Sequence, residues 1–554
     1  MTGAVSGFLQ QIFAKLKEAD ETVVLREIRG ATFASVSGAA LLKQVDGARY
    51  FLRVAGVRAG DRCVLVGSNG IRWVAMDLAI MAEGAITVPL YARQAASELA
   101  ATMQDCQPKL VVCGDDTLRQ GIAQAWPGAP GMRLLDEAFA GSPGALDAVA
   151  VVGEQKPVTI IYTSGTSGVA KGVVLTSGNV SHMLRCTSER LDLLMHGVRG
   201  QDRVFHYLPF CFGGSWILLL TCLLRGSLLT LNTDLNKLAD DLRVVEPDYF
   251  LNVPALLERM RRGIDDGVRQ KGGFVFKIFI RAKATWFAAP EGKNPGGVRL
   301  WLAKRLIFPT VRGQVMGSNL KALICGSAPL TVETQRFYDM LGIRVLQVYG
   351  LTETTAICTM DHPHHVEAGR VGPAIPGVEM KLGENDEILV RGANVFPGYW
   401  NRPEETAKVL RDGWFHSGDQ GEVNAEGNWK ISGRIKNLVI LSSGHNVPPE
   451  PIEDQALQHL PGALHAVVVG NGRGYLSLLV TGNVKAEMVR TALDTVNSGL
   501  PHYKHLRAFH VCDEPFTMDN GMLTANGKLR RDAINTRWRN EIDALYQTKV
   551  GIAS

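Results

Sequence analysis

One segment constrains this chain more than any other: Tyr162-Thr163-Ser164-Gly165-Thr166-Ser167-Gly168-Val169-Ala170-Lys171-Gly172. It follows Val158-Thr159-Ile160-Ile161-Tyr162, an apolar run of the kind that forms a buried strand. A glycine-rich loop at a strand end lets backbone N–H groups converge on an anion. The hydroxyls add donors and Lys171 adds a point charge, which is the equipment a polyphosphate needs. Open α/β sheets bind ligands at such places, beyond the carboxyl ends of their strands. The order Gly165-x-x-Gly168-x-x-Lys171-Gly172 is not the G-x-x-x-x-G-K-[ST] phosphate loop. A polar surface turn uses the same residue types, but eleven such residues with a lysine favour the anion site.

Short apolar runs recur between helical stretches, which argues for parallel sheets. Residues 63–67, 85–90, 109–113, 227–231, 249–253, 322–325 and 345–349 read as strands, and 71–83 as a helix. After Gly369 the texture changes to short strands at 377–382, 387–391 and 428–434, with turn signals between them. Beyond Lys436 a helix at 451–460 and strands at 465–470 and 476–481 read as a separate small domain. The expected fold is α/β: a large N-terminal domain over 1–434, with parallel α/β sheets and a small β-barrel, and a small α+β C-terminal domain over 435–554.

The 554 residues suffice for this plan, and 46% hydrophobic with 20% charged content is ordinary for a globular chain. A net charge of +5 does not point to nucleic acid. The nine cysteines show no metal-ligand spacing, and their odd number suits a reducing compartment, so a cytoplasmic location is expected. Residues 5–16 read as a short amphipathic helix, with Phe8, Leu9, Ile12, Phe13 and Leu16 at helical spacing. It is expected to pack on the body of the protein, with weak membrane-surface association as the lesser alternative. The apolar run at 216–224 is too short to span a bilayer.

Four further segments carry chemistry. They are Ile324-Cys325-Gly326-Ser327-Ala328-Pro329-Leu330, Gln347-Val348-Tyr349-Gly350-Leu351-Thr352-Glu353-Thr354-Thr355, Asp412-Gly413-Trp414-Phe415-His416-Ser417-Gly418-Asp419 and Leu523-Thr524-Ala525-Asn526-Gly527-Lys528-Leu529-Arg530-Arg531. An aromatic face suits a purine, a hydroxyl suits a phosphate and a carboxylate is a hard magnesium ligand. Taken singly, each reads equally well as a core aromatic, a turn acid or a solvated basic turn. Together and in this order with the first loop, they resemble the adenylate-forming superfamily, and most closely its long-chain acyl-CoA synthetases. The resemblance spans about residues 32–531. It is carried further by Val390-Arg391-Gly392-Ala393-Asn394-Val395-Phe396-Pro397-Gly398-Tyr399-Trp400, by Ser443-Gly444-His445-Asn446-Val447-Pro448-Pro449-Glu450, and by an extension at 272–317.

That resemblance implies roles. Thr163, Ser164, Gly165, Thr166, Ser167, Gly168 and Lys171 would hold the ATP phosphates. Ser327, Ala328, Pro329, Tyr349 and Gly350 would border the adenine, while Asp419 and Arg434 would take the ribose. Thr352 would donate to the α-phosphate, and Glu353 with Thr166 would bind Mg²⁺. Lys528 would bridge carboxylate and α-phosphate as negative charge builds. Lys436 would be the hinge about which the small domain rotates between half-reactions, and Gly444 and His445 would border the coenzyme A channel.

The acyl pocket is expected from Phe212, Gly213, Gly214, Trp216, Val253 and Gly326. No acid lies between Pro209 and Trp216, where amino-acid-activating relatives carry one, so an apolar tail is favoured. Two residues depart from the family pattern: Phe212 stands where many relatives have histidine, and Asn437 stands where an acid often follows the hinge lysine. The implied activity is ATP-dependent activation of a fatty or other apolar carboxylic acid as acyl-AMP, then transfer to coenzyme A. Loading of an acyl carrier protein is the alternative acceptor, and a nucleotide-binding protein without ligase activity is the rival class. Acyl length, pathway and oligomeric state, a homodimer included, stay open.

Overall fold

The computed structural model describes residues 7–140, 146, 148–163, 170–290, 295–524 and 527–547. Two largely parallel sheets organise the larger part. In one, the strands run in the order Met132–Leu134, Leu110–Cys113, Arg62–Val66, Ile86–Leu90, Pro157–Thr163, Lys171–Thr176. Only the last pair is antiparallel, and these two strands flank the hydroxyl-rich loop. The other sheet has eight strands in the order Thr359–Met360, Arg344–Tyr349, Ala322–Cys325, Tyr249–Asn252, Arg203–His206, Leu228–Leu231, Val23–Arg29, Thr32–Ser37. It is parallel except at its two edges. Four-residue strands such as Ala322-Leu323-Ile324-Cys325 are buried throughout, as expected where helices cover both faces.

Helix Ile71–Ala82 is buried at every residue except Arg72, which matches its nearly all-apolar sequence. Its one acid, Asp77, accepts the Trp216 indole N–H at 2.8 Å from helix Gly213–Arg225. The N-terminal helix runs Phe8–Ala19, with Phe8, Leu9, Ile12 and Leu16 in the main core. Its apolar face is thus spent on packing and not on a membrane surface.

A five-stranded antiparallel sheet follows: Val378–Leu382, Glu387–Gly392, Trp414–Val423 and Leu410–Arg411, with Trp429–Arg434 paired to Trp414–Val423. The register sets Asp419 directly opposite Arg434, so two distant motif residues become cross-strand neighbours. A 3₁₀ turn at Ile435–Asn437 leads into the last region. There helices Glu450–Gln458 and Ala486–Ser498 contribute to the same core as the three-stranded sheet Ala463–Val469, Leu476–Gly482, Leu506–Val511. No helix among the described residues is long and apolar enough to cross a membrane. All nine cysteines are buried free thiols.

Candidate active site

The strand ends of the eight-stranded sheet, the antiparallel sheet and the C-terminal region meet at one cleft of about 3420 Å³. This exceeds the few hundred to a thousand Å³ of a single small-molecule pocket. Strand Arg344–Tyr349 delivers Tyr349, and a 3₁₀ turn at Thr352–Thr354 delivers Thr352 and Glu353. The chain bends so sharply there that Thr355 and Ala356 take φ of 52° and 92°, a conformation costly for residues with a Cβ. Gly350 is required by the same fold-back: a Cβ on it would lie 2.3 Å from the Ala356 carbonyl oxygen. Ser327, Ala328 and Pro329 form an opposing lip, with Ser327 at φ 74°.

Asp419 is 4% exposed and its two oxygens are divided between partners. The Tyr349 hydroxyl donates to Oδ2 at 2.8 Å, and Arg434 Nε lies 2.7 Å from Oδ1. A carboxylate has about four acceptor positions, so two remain for a diol. Burial and the adjoining Asp419 drive the Tyr349 phenol well upward, which keeps its proton on the hydrogen bond. For Arg434 burial is the largest influence and works downward, but Asp419, Tyr349 and Glu353 together outweigh it, so the guanidinium is held charged.

Glu353 Oε1 accepts the Tyr399 hydroxyl at 2.8 Å, while Phe396 N–H donates to the Glu353 carbonyl at 2.9 Å. Its other carboxylate oxygen has no hydrogen-bond donor among the described residues, which fits a hard cation. No group of three or more His, Cys, Asp or Glu could hold a metal among the described residues, so such a cation would take its remaining ligands from phosphate and water. Lys171 pairs with Glu405 at 2.5 Å and stands 5.2 Å from the centre of the Tyr399 ring. Lys171, followed by Lys408, lowers the Glu405 carboxyl to about 2. Thr163 and Lys171 border the cleft, whereas Ser164, Gly165, Thr166, Ser167 and Gly168 lie outside the described residues.

Lys528 enters the cleft from the C-terminal region on a tight loop. Its N–H donates to Thr524 Oγ1 at 3.1 Å, and Thr524 N–H donates back to the Lys528 carbonyl at 2.8 Å. Three residues on, Arg531 makes a bidentate pair with buried Glu453 at 2.7 and 2.6 Å, tying the loop to helix Glu450–Gln458. The Lys528 ammonium is wetted yet walled in by the cleft. Burial and then Arg434 lower it from the ordinary lysine value, against the pull of Asp419 and Glu353. Lys436 lies on the cleft at the 3₁₀ turn, and Asn437 donates to Glu450 at 2.6 Å.

Family comparison fits this arrangement. The AMP-binding enzyme family matches residues 14–400, and the AMP-binding enzyme C-terminal domain matches 436–550. The chain belongs to the AMP-binding enzyme family. Among curated AMP-binding relatives, it is 27% identical over 583 residues to the long-chain-fatty-acid–CoA ligase FadD15 of Mycobacterium bovis, covering 97% of this chain and 96% of that one. It is 26% identical to the chloroplastic long-chain-fatty-acid–[acyl-carrier-protein] ligase AEE15 of Arabidopsis thaliana, covering 89% and 80%. Among solved AMP-binding structures, an ATP-bound RpMatB-BxBclM chimera superposes with a TM-score of 0.74 at 25% identity, covering 96% of this chain and 99% of that one.

The expected acyl residues divide. Phe212, Gly213, Gly214, Val253 and Gly326 border the cleft. Gly213 faces Thr352, whose side chain would lie 3.8 Å from an added Cβ, and a Cβ on Gly326 would strike Val348 at 2.6 Å. Trp216 is a correction: it is fully buried and does not border the cleft, because its face of helix Gly213–Arg225 turns to Asp77 while Ile217 turns to the cleft. Gly444 and His445 stand outside the cleft lining; His445 is exposed and stacks on Tyr503 with ring centres 4.4 Å apart. Phe212 packs against Tyr91 with ring centres 5.8 Å apart. Tyr399 and Glu405 were missed. Tyr399 lies in a quoted segment without an assigned role, and Glu405 reads only as an acid in the first turn of helix Pro403–Val409.

Proposed function

We propose that this enzyme activates a long-chain fatty acid with ATP as acyl-AMP, releasing pyrophosphate, and then transfers the acyl group to coenzyme A. The observation that carries this reading is the convergence of Lys528 with Arg434, Asp419 and Glu353 at the mouth of an apolar branch of the same cleft. The branch runs from Gly214 past Leu251, Ile217 and Leu218 to Thr187 and Thr221, whose hydroxyls bond each other at 2.9 Å. The eight steps of helix from Gly213 to Thr221 rise about 12 Å along this branch. None of these lining groups is charged.

In adenylation, Asp419 and Arg434 hold the ribose, Tyr349 borders the adenine, and Thr352 donates to the α-phosphate. Thr163 to Gly168 and Lys171 hold the outer phosphates, with Lys171 exchanging Glu405 for phosphate. Lys528 sits where carboxylate oxygen and α-phosphate meet, and its charge is worth most as the two anions approach. Glu353 and Thr166 are the residues that would hold Mg²⁺, which when bound neutralises phosphate charge. Rotation of the C-terminal domain over 435–554 about Lys436 then withdraws Lys528 and brings Gly444 and His445 to the cleft for the thiol.

The test is AMP and pyrophosphate release with ATP, Mg²⁺ and a panel of fatty and aryl acids, with and without coenzyme A. Coenzyme-A-stimulated AMP release on long-chain acids is expected. The relative AEE15, an acyl-carrier-protein ligase by name, favours one second reading, transfer to an acyl carrier protein. Turnover that coenzyme A leaves unchanged and carrier protein accelerates would select it.

A further inference from the structure

Residues 396–400 form a clamp between two parts of the cleft that the sequence keeps far apart. Phe396 N–H donates to the Glu353 carbonyl at 2.9 Å, which ties the clamp to the 3₁₀ turn Thr352–Thr354. Trp400 N–H donates to the Gly172 carbonyl at 2.7 Å, and the Gly398 carbonyl accepts the Val174 N–H at 3.3 Å, which ties it to strand Lys171–Thr176. Gly398 sits at φ 150°, and a Cβ there would meet Thr406 at 2.7 Å. Tyr399 N–H donates to Thr406 Oγ1 at 2.9 Å, so helix Pro403–Val409 holds the backbone from which the Tyr399 side chain springs.

That side chain reaches two groups at once. Its hydroxyl donates to Glu353 Oε1 at 2.8 Å, and the centre of its ring lies 5.2 Å from Lys171 Nζ, within cation–π range. Phe396 packs on the ring edge to face, with centres 4.9 Å apart and planes at 70°. Glu405 holds Lys171 from the other side. Packing needs only the ring, and a phenylalanine would fill the same space. The hydroxyl has one proton to donate and spends it on a carboxylate that borders the cleft. It leaves Glu353 Oε2, which has no hydrogen-bond donor among the described residues.

Resting on the ligase reading above, we propose that Tyr399 is a positioning residue that sets the affinity for the divalent cation of the ATP complex, its hydroxyl orienting Glu353 with Oε2 left for the cation and its ring keeping Lys171 beside the same phosphates. With Glu353 as the one carboxylate assigned to the cation, binding depends heavily on how that group is held. A carboxylate already fixed through one oxygen loses less freedom when the other takes a metal, and such outer partners govern about ten- to a hundredfold of metal affinity. Withdrawal of charge by the same hydrogen bond acts in the opposite sense, so the direction of the change in Tyr399→Phe decides which effect rules.

Calorimetric titration of ATP into the full chain, with Mn²⁺ as the probe cation or with EDTA, tests this. No carboxylic acid is present, so there is no turnover, and the paramagnetic resonance of Mn²⁺ reads its binding independently. Tyr399→Phe should weaken Mn²⁺·ATP about ten- to a hundredfold and leave metal-free ATP binding as it is. Tyr399→Leu, which also removes the ring under Lys171, should weaken metal-free ATP about two- to fivefold. Glu353→Gln should abolish the enhancement by Mn²⁺, and adding Tyr399→Phe to it should cost nothing more. A hydroxyl that merely stabilised the fold would weaken binding with and without metal, and in both backgrounds. Mn²⁺·ATP affinity equal to or above wild type in Tyr399→Phe, or an undiminished loss in the Glu353→Gln background, overturns the role of Tyr399 alone. Full enhancement by Mn²⁺ in Glu353→Gln overturns the inference at its base, and a wild-type chain that binds no ATP under either condition overturns the ligase reading with it.

Discussion

Replacing Lys528 with alanine should separate the two half-reactions. The side chain occupies a wide, wetted cleft, so an effective dielectric constant near 20 applies rather than that of a dry interior. A unit charge about 4 Å from the developing phosphate charge is then worth about 4 kcal/mol. Arg434 stays in place in the variant and water refills the gap, so roughly half to three quarters of that is lost, about 2–3 kcal/mol. Adenylation should slow roughly 30- to 150-fold. The loop itself should hold, because its turn rests on Thr524 and its anchor on Arg531 and Glu453, none of which the substitution touches. The assay is single-turnover acyl-AMP formation set beside thioester formation from preformed acyl-AMP and coenzyme A. Only the first should fall. Adenylation within threefold of wild type, or equal loss in both half-reactions, refutes the assignment. The sign of the pH dependence follows from the same residue. Burial and Arg434 lower the Lys528 ammonium, so its proton leaves at a lower pH than that of an ordinary lysine. Wild-type adenylation should therefore decline on the alkaline side before pH 10.5, and Lys528→Arg should abolish that decline.

Other expectations reach the rest of the molecule. Arg225 is fully buried against Asp202, itself fully buried, and also binds Asp192. Arg225→Met leaves Asp202 uncompensated and should cost about 3–5 kcal/mol, read as a lower urea midpoint. Asp361 is 1% exposed, and burial raises it from 3.8 to about 8, although the Gln347 N–H donates to it. The folded state then holds a proton that the unfolded state has lost, so stability should fall as pH rises between about 4 and 8. Asp361→Asn should flatten the thermal midpoint across that window; an unchanged slope would refute the account. Gly214 faces Leu251 across the apolar branch, with 3.9 Å to an added Cβ. Gly214→Leu should lower kcat/KM for long acids about tenfold or more while sparing short ones, and an even loss across chain lengths would remove this branch as the tail site.

Why some of this was legible and some was not comes down to the range over which the chemistry is encoded. Tyr349 to Glu353, Asp412 to Asp419 and the loop around Lys528 each place their functional groups within a few residues of a strand end or turn, so composition and spacing exposed them. The parallel sheets were legible for the same reason: four- or five-residue apolar runs need no distant partner to declare themselves. What holds those groups in position is set by register and packing. Tyr399 reaches Glu353 across 46 residues and Glu405 reaches Lys171 across 234, distances no local pattern records. Trp216 shows the cost of ignoring this. Three residues beyond Gly213 on a helix, it could face the cleft or the core, and the sequence pattern alone does not choose. The choice is made 139 residues away by Asp77, a carboxylate in an otherwise apolar helix. A buried acid must find a donor or pay heavily in desolvation, and Asp77 is pushed up to about 6 by burial even with the indole N–H in place. An acid buried in a nearly all-apolar helix was therefore the one visible sign that some distant donor, here Trp216, was committed to the core.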